Sequence, residues 1–317
     1  MMLLASNMFA TLLVLSALAS GARADCDACI AGRCHTRRPI LSGFPVTGQM
    51  AIDRTDNILY LQINSKQNIA IFLDDLQHRL VNMMSITGMD FDQPSHTLYM
   101  LTEDGTFYKY YVARNTTVGG LQLNEGMRPN IIRYFTDDKL VYFEGYANNT
   151  STFHYVAMNI FDWHFTFSVN YSINDFITDG SYIFFVSNNT LYVCDNQVYS
   201  GAYPPNPPRR LLSKKHIAIS SIYHYVDEDR FNEWIYIGST TEKLIYKLNK
   251  NTQELIIHAG YKSGAVQDFL IGKDGLIVFR DVDGSVVQWV PSLPSQDRSC
   301  VIEPPHENFF VRETCVL

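Results

Sequence analysis

The 317-residue sequence predicts an all-β fold, a single six-bladed β-propeller closed by its termini. Three observations predict it. A short apolar kernel recurs six times at near-constant spacing, a turn-forming cluster precedes most of the kernels, and long helical periodicity is absent. The kernels are Leu59-Tyr60-Leu61, Leu98-Tyr99-Met100, Val141-Tyr142-Phe143, Ile183-Phe184-Phe185, Ile235-Tyr236-Ile237 and Ile277-Val278-Phe279, with centres 39, 43, 42, 52 and 42 residues apart. A unit of roughly 40–45 residues holding three or four short strands has the length of a propeller blade. A β-sandwich would need fewer strands and would leave the fixed period unexplained.

Within each unit the elements follow in a constant order. An innermost strand comes first, as in Met89-Asp90-Phe91-Asp92, Asn174-Asp175-Phe176-Ile177 and Gln267-Asp268-Phe269-Leu270. A turn follows: Asp53-Arg54-Thr55-Asp56-Asn57, Asp92-Gln93-Pro94-Ser95, Asp137-Asp138, Asp179-Gly180 or Lys273-Asp274-Gly275. Then come the β-branched or aromatic kernel and a third strand such as Phe107-Tyr108-Lys109-Tyr110-Tyr111 or Val286-Val287-Gln288-Trp289, with Asp104-Gly105 and Asp283-Gly284 supplying hairpin turns. The one long spacing holds Tyr203-Pro204-Pro205-Asn206-Pro207-Pro208-Arg209-Arg210, a loop insertion between the fourth and fifth units. Arg209-Arg210 and Lys214-Lys215 around Leu211-Leu212-Ser213 read as a solvated, extended loop, or else as a processing or docking loop.

Ahead of the repeats, the apolar run from Met8 to Ala19 followed by Ala22-Arg23-Ala24 reads as a signal peptide. The expected domain plan is a signal peptide over 1–24, a Cys-containing arm over 25–39, the propeller over 40–299 and a disulfide-tied tail over 300–317. Sequons at Asn115, Asn148, Asn149, Asn170 and Asn188 fit a glycosylated extracellular surface. Cys26, Cys29 and Cys34 lie near one end and Cys300 and Cys315 near the other, so disulfides tying arm to tail are expected; the connectivity stays open. Cys194, on an alternating strand pattern, reads equally as a buried free thiol. Zinc binding at Cys26-x-x-Cys29 lacks a His pair at ligand spacing.

The net charge of −7 argues against a broad nucleic-acid footprint, and 13% aromatic residues exclude a disordered chain. No second apolar run reaches bilayer length, so membrane insertion is not expected. Enzyme motifs are missing: no Gly-x-Ser-x-Gly elbow, phosphate loop or His-Glu-x-x-His occurs, and the nine histidines show no paired metal spacing.

Propellers place their sites where the innermost strands meet around the central channel. The residues expected to face it are Gln49, Gly88, Arg133, Asn174, Ser221 and Gln267, with Asp90, Asp175 and Asp268 beside some of them. One reading of this set is a calcium site for lactone or ester hydrolysis, as on gluconolactonase-type propellers; the alternative use of the Asp-Phe repeats is to bond nearby backbone amides. The other reading is an amide-lined, aromatic-flanked cavity for a flat organic molecule. A protein-interaction module using the Tyr203–Lys215 loop is a third.

The start Asp25-Cys26-Asp27-Ala28-Cys29, followed by repeats of the type Ala51-Ile52-Asp53-Arg54-Thr55-Asp56-Asn57-Ile58-Leu59-Tyr60, resembles the ommochrome-binding proteins of lepidopteran insects. The sequence departs from that family in its longer tail with Cys300 and Cys315 and in its number of sequons. The resemblance implies a secreted haemolymph protein that binds a phenoxazinone pigment without turnover and without a cofactor. Such a ligand is planar and acidic, and Arg133 is the channel candidate able to grip its carboxylate bidentately; the alternative role of Arg133 is a strand-end ion pair. The expected ligand-binding set is Arg133, Gln49, Asn174, Ser221 and Gln267.

Overall fold

A strand buried on both faces reads as an unbroken apolar run, because side chains alternate between two dry surfaces. The five kernels whose burial is described are such strands. The computed structural model describes residues 26–41, 43–44, 46–122, 129–135, 140–147, 150–157, 162–179, 181–196, 207–212, 217–223, 234–262, 266–281, 283–292 and 300. The signal peptide, Cys315, Asn148, Asn149 and most of the Pro-rich insertion lie outside the described residues.

Two strands open the described chain, β1 (Ala28–Ile30) and β2 (Arg33–Leu41). The first four-stranded sheet runs β3 (Val46–Asp53), β4 (Ile58–Ile63), β5 (Gln67–Phe72) and β6 (His78–Met83). The second comprises β7 (Ile86–Asp92), β8 (Thr97–Thr102), β9 (Thr106–Tyr111) and β10 (Thr116–Gln122). The third comprises β11 (Pro129–Phe135), β12 (Leu140–Ala147), β13 (Thr150–Ala157) and β14 (Asp162–Val169). The fourth comprises β15 (Asp175–Thr178), β16 (Tyr182–Ser187), β17 (Thr190–Asp195) and β18 (Arg209–Arg210). The remaining strands are β19 (Ser221–Tyr223), β20 (Trp234–Ser239), β21 (Leu244–Asn249), β22 (Leu255–Tyr261), β23 (Val266–Ile271), β24 (Ile277–Asp281) and β25 (Val286–Pro291). They share a nine-stranded sheet with the order β19-β20-β21-β22-β1-β2-β25-β24-β23.

That sheet is two four-stranded meanders joined at their outer edges by β1. Every neighbouring pair is antiparallel, and the innermost strands touch in the cycle β3, β7, β11, β15, β19, β23 and back to β3. The all-β propeller architecture expected from the kernels is therefore present. Within the Cys-containing stretch, β2 supplies the outer strand against β25 (Arg37 opposite Trp289) and removes an open edge. Arg209-Arg210, read as loop, forms the exposed edge strand β18 against β17.

The core lies between sheets rather than inside one. Leu59 and Leu61 pack with Leu270, Val278 and Val286 of the neighbour on one side. Ile58 and Tyr60, the alternate residues of the same strand, pack with Met89, Phe91, Leu98 and Met100 on the other. Trp289, with the Phe279 ring 4.6 Å away, fills the space between the last two meanders together with Ala28 and Ile30 of β1.

Cys26 pairs with Cys34 across the β1–β2 hairpin, and Cys29 on β1 pairs with Cys300 beyond β25. The second bond is the arm-to-tail tie that the cysteine distribution suggested. Cys194 is free and buried, and burial followed by the neighbouring Asp195 charge pushes its thiol up to about 12. Asn115, Asn170 and Asn188 are exposed. No helix among the described residues is long and apolar enough to cross a membrane.

Candidate functional site

An innermost strand has packed sheets on both faces, so solvent reaches its side chains through the axial channel or its mouths. That criterion sorts the expected set. Asn174, just before β15, and Gln267 on β23 are exposed, while Arg133, Asp90, Asp268 and Tyr223 are half-buried. Gln49 and Ser221 are buried.

Gln49 is a clasp. Its Nε2 donates to the Ile132 carbonyl at 2.8 Å and its Oε1 accepts from the Ile132 amide at 3.1 Å, so both amide ends serve the backbone of the third sheet. The side chain reaches past the second sheet because Gly88 stands between: a Cβ there would lie 2.6 Å from Ile132 Cγ2 and 3.2 Å from Gln49 Oε1. Gly88 is buried, and its part is to offer space rather than a contact. Ser221 is covered by the opposite strand, where a Cβ on Gly238 would meet its Oγ at 2.5 Å.

Arg133 sits at the centre of an ionic network. Its Nη2 donates to Asp175 Oδ1 at 2.6 Å and its Nε to the Phe176 carbonyl at 2.9 Å, which joins the third sheet to the fourth. Burial works against the guanidinium charge, but the fields of Asp175, Asp90, Asp268 and Tyr223 outweigh it and hold its pKa above the ordinary value. The strand-end ion pair, offered above as the alternative role for Arg133, is therefore formed.

The Asp-Phe repeats also take their backbone-bonding alternative. Asp175 accepts from the Phe176 amide at 2.9 Å and, through Oδ2, from the Ile222 amide of the fifth sheet at 3.0 Å. Asp90 accepts from the Phe91 amide at 2.9 Å and from the Tyr134 amide of the third sheet at 2.6 Å. Each carboxylate stitches its own strand to the next innermost strand. Burial raises the Asp175 carboxyl to about 6, opposed by Arg133 and reinforced by Asp268. Burial likewise raises Asp90, against the pull of Arg133 and the two amides. Asp268 faces Arg280 at 3.8 Å, and Arg280 Nη1 donates to the Gly48 carbonyl at 2.6 Å.

The channel centre therefore holds a fixed internal cation among three carboxylates, two of which have oxygens committed to backbone amides. Calcium binding asks for six to eight converging oxygens and no neighbouring guanidinium, so this donor set does not fit it. What the arrangement offers a ligand is the exposed amides of Asn174 and Gln267 beside a compensated ion pair. Tyr223 adds a half-buried ring, packed against Phe269 with centroids 6.1 Å apart. Sequence reasoning missed Tyr223, although it lies two positions after Ser221, on the same face of β19.

No family model and no curated protein matches the chain. Solved structures do. A gluconolactonase from Xanthomonas campestris superposes with a TM-score of 0.62 at 11% identity, over 85% of this chain and 97% of that one. A luciferin-regenerating enzyme gives 0.59 at 8% identity, over 84% and 97%. The WD40 repeats of RRP9 give 0.54 at 9% identity, over 84% and 99%. At these identities the likeness shows a propeller fold. It passes across enzymes and WD40 repeats alike, so the fold does not carry the function.

Proposed function

We propose that this chain is a secreted propeller that binds a small planar aromatic molecule of the ommochrome type at its channel, without turning it over. The observation that supports this most is the pairing of exposed amides with an internally neutralised centre. Asn174 and Gln267 offer donors and acceptors at the channel, while the acids and Arg133 beside them are engaged with each other or with backbone amides. A general base needs an unengaged acceptor and a metal hydrolase needs an open ligand set. Specific binding needs neither. Ring faces and a few placed hydrogen bonds are enough to orient a flat ligand.

Secretion is part of the proposal and rests on the signal-like N-terminus together with the two disulfides, which persist in an oxidising compartment. The fold is compatible with a second reading, a metal-dependent lactonase, which the gluconolactonase likeness favours. The channel chemistry favours the binding reading.

The test is an ultraviolet–visible spectrum of protein purified from its native fluid, followed by a xanthommatin titration of the stripped protein. A visible band lost on denaturation is expected. Asn174→Ala combined with Gln267→Ala is expected to weaken pigment binding at least about tenfold, or about 1.4 kcal/mol. A colourless protein that fails to take up added xanthommatin, or that hydrolyses a lactone in step with bound metal, would overturn the proposal.

A further inference from the structure

We infer that Asp53, Asp56 and His96 form a binding site for a zinc-class divalent cation at the seam between the first and second sheets. The site lies on the turns that follow two innermost strands. Asp53 ends β3 and Asp56 lies in the turn after it; His96 lies in the corresponding turn between β7 and β8. Gln93 locks the two turns together, donating from Nε2 to the Ile52 carbonyl at 2.7 Å and accepting at Oε1 from the Arg54 amide at 2.8 Å. Those partners flank Asp53 on both sides.

Asp53 is fully buried, and its two oxygens are used unequally. Oδ1 accepts from the Thr55 amide at 2.9 Å and the Asp56 amide at 3.2 Å. Oδ2 is enclosed and accepts no hydrogen bond. An unsatisfied buried carboxylate oxygen is costly, so a group that satisfies it is expected. It faces His96 Nδ1 at 3.5 Å, and Asp56 Oδ2 lies 3.7 Å from the same nitrogen. These separations are long for hydrogen bonds. They are close to the edges of a zinc tetrahedron, about 3.3–3.6 Å for metal–ligand bonds of about 2.0–2.2 Å.

One donor atom from each of the three side chains lies within 4.8 Å of the others, the only such grouping among the described residues. An imidazole nitrogen with two carboxylate oxygens suits zinc better than calcium or magnesium, which take oxygen shells. The edge of the Phe91 ring meets the His96 ring at 6.4 Å and 87°, which orients the imidazole. The side chains of Asp56 and His96 are 52% and 36% exposed, so an ion can enter and a water can complete the coordination. The adjoining Tyr60 hydroxyl is also buried without a hydrogen-bond partner.

The experiment is a calorimetric zinc titration of the full chain after chelator treatment, with Asp56→Asn and His96→Asn in parallel. Asparagine tolerates the left-handed backbone of His96 (φ 47°), and Asp56 is exposed, so both variants are expected to keep the wild-type unfolding temperature without zinc. Expected are one zinc per chain, at least tenfold weaker binding in each variant, and a zinc-induced rise in unfolding temperature confined to the wild type. Absence of one-to-one uptake would overturn the inference. Variants that bind as the wild type does would overturn it too, placing the zinc on other side chains.

Discussion

One single-residue constraint acts through a missing side chain. Gly88 lets the Gln49 carboxamide reach Ile132 two sheets away, and a methyl group there would collide with Ile132 Cγ2. Gly88→Ala is expected to lower stability by about 2–4 kcal/mol, combining overpacking with two lost buried hydrogen bonds. Chemical denaturation measures this, and a change within about 0.5 kcal/mol, the range of an ordinary surface substitution, would remove the clasp from the account. Position on an innermost strand was legible in the sequence for Arg133, Gln267 and the three Asp-Phe carboxylates, because each sits at a fixed step before a recognisable turn. The inward burial of Gln49 and Ser221 was not. It depends on Gly88 and Gly238, whose missing side chains act on residues tens of positions away. The Asp53–Asp56–His96 grouping was hidden for the same reason: histidine spacing along one chain segment says nothing about two turns brought together by Gln93.

Among the elements, β22 and the β1–β2 hairpin form a seam with a pH dependence of its own. His258 on β22 accepts the Ala31 amide through its backbone carbonyl, and its ring meets Tyr236 edge-on at 5.1 Å. Burial first, then the Lys247 and His35 charges, lower its pKa to about 4 from 6.5. The unfolded chain therefore binds a proton in this window that the folded chain refuses. Stability is fully present above about pH 6.5 and is lost as pH falls towards 4, by roughly 3 kcal/mol at most. Asp175 works in the opposite sense, since its raised folded pKa favours the folded state as pH falls. A comparison isolates His258. His258→Phe is expected to lose less stability than the wild type between pH 6.5 and 4, and parallel pH profiles would show that the histidine does not contribute. Sequence patterning found the second strand of every meander, because each carries an apolar run, and in the five whose burial is described both faces are covered. It did not find β1, whose three residues pair on one side with β22, more than two hundred positions distant, and carry no period of their own.

For the whole molecule, two disulfides of very different reach guard the same junction. The Cys29–Cys300 bond spans 271 residues and the Cys26–Cys34 bond spans 8. In the chain-entropy limit these closures restrict the unfolded chain by about 5.5 and about 2.5 kcal/mol. Replacing Cys29 and Cys300 together by alanine is therefore expected to destabilise the protein about twice as much as replacing Cys26 and Cys34 together. Equal losses in denaturant titrations would mean that the ring is held at β2 alone. The closure of the ends was legible from the cysteine distribution. Its geometry was not, since the sequence gives no sign that the hairpin between the cysteines enters the sheet.

The same hairpin sets a schedule for synthesis. β1 meets β22 about 230 residues after it is made, and β2 meets β25 about 250 residues after. At 5–20 residues per second, these strands wait roughly 12–50 s for their partners to be translated. By then β19–β22 are paired with one another, as the strands of the four earlier sheets are, whereas β23, β24 and β25 take their outer strand only from β2. The joining of β1 and β2 to β22 and β25 is thus a late step of assembly, and it seals the ring.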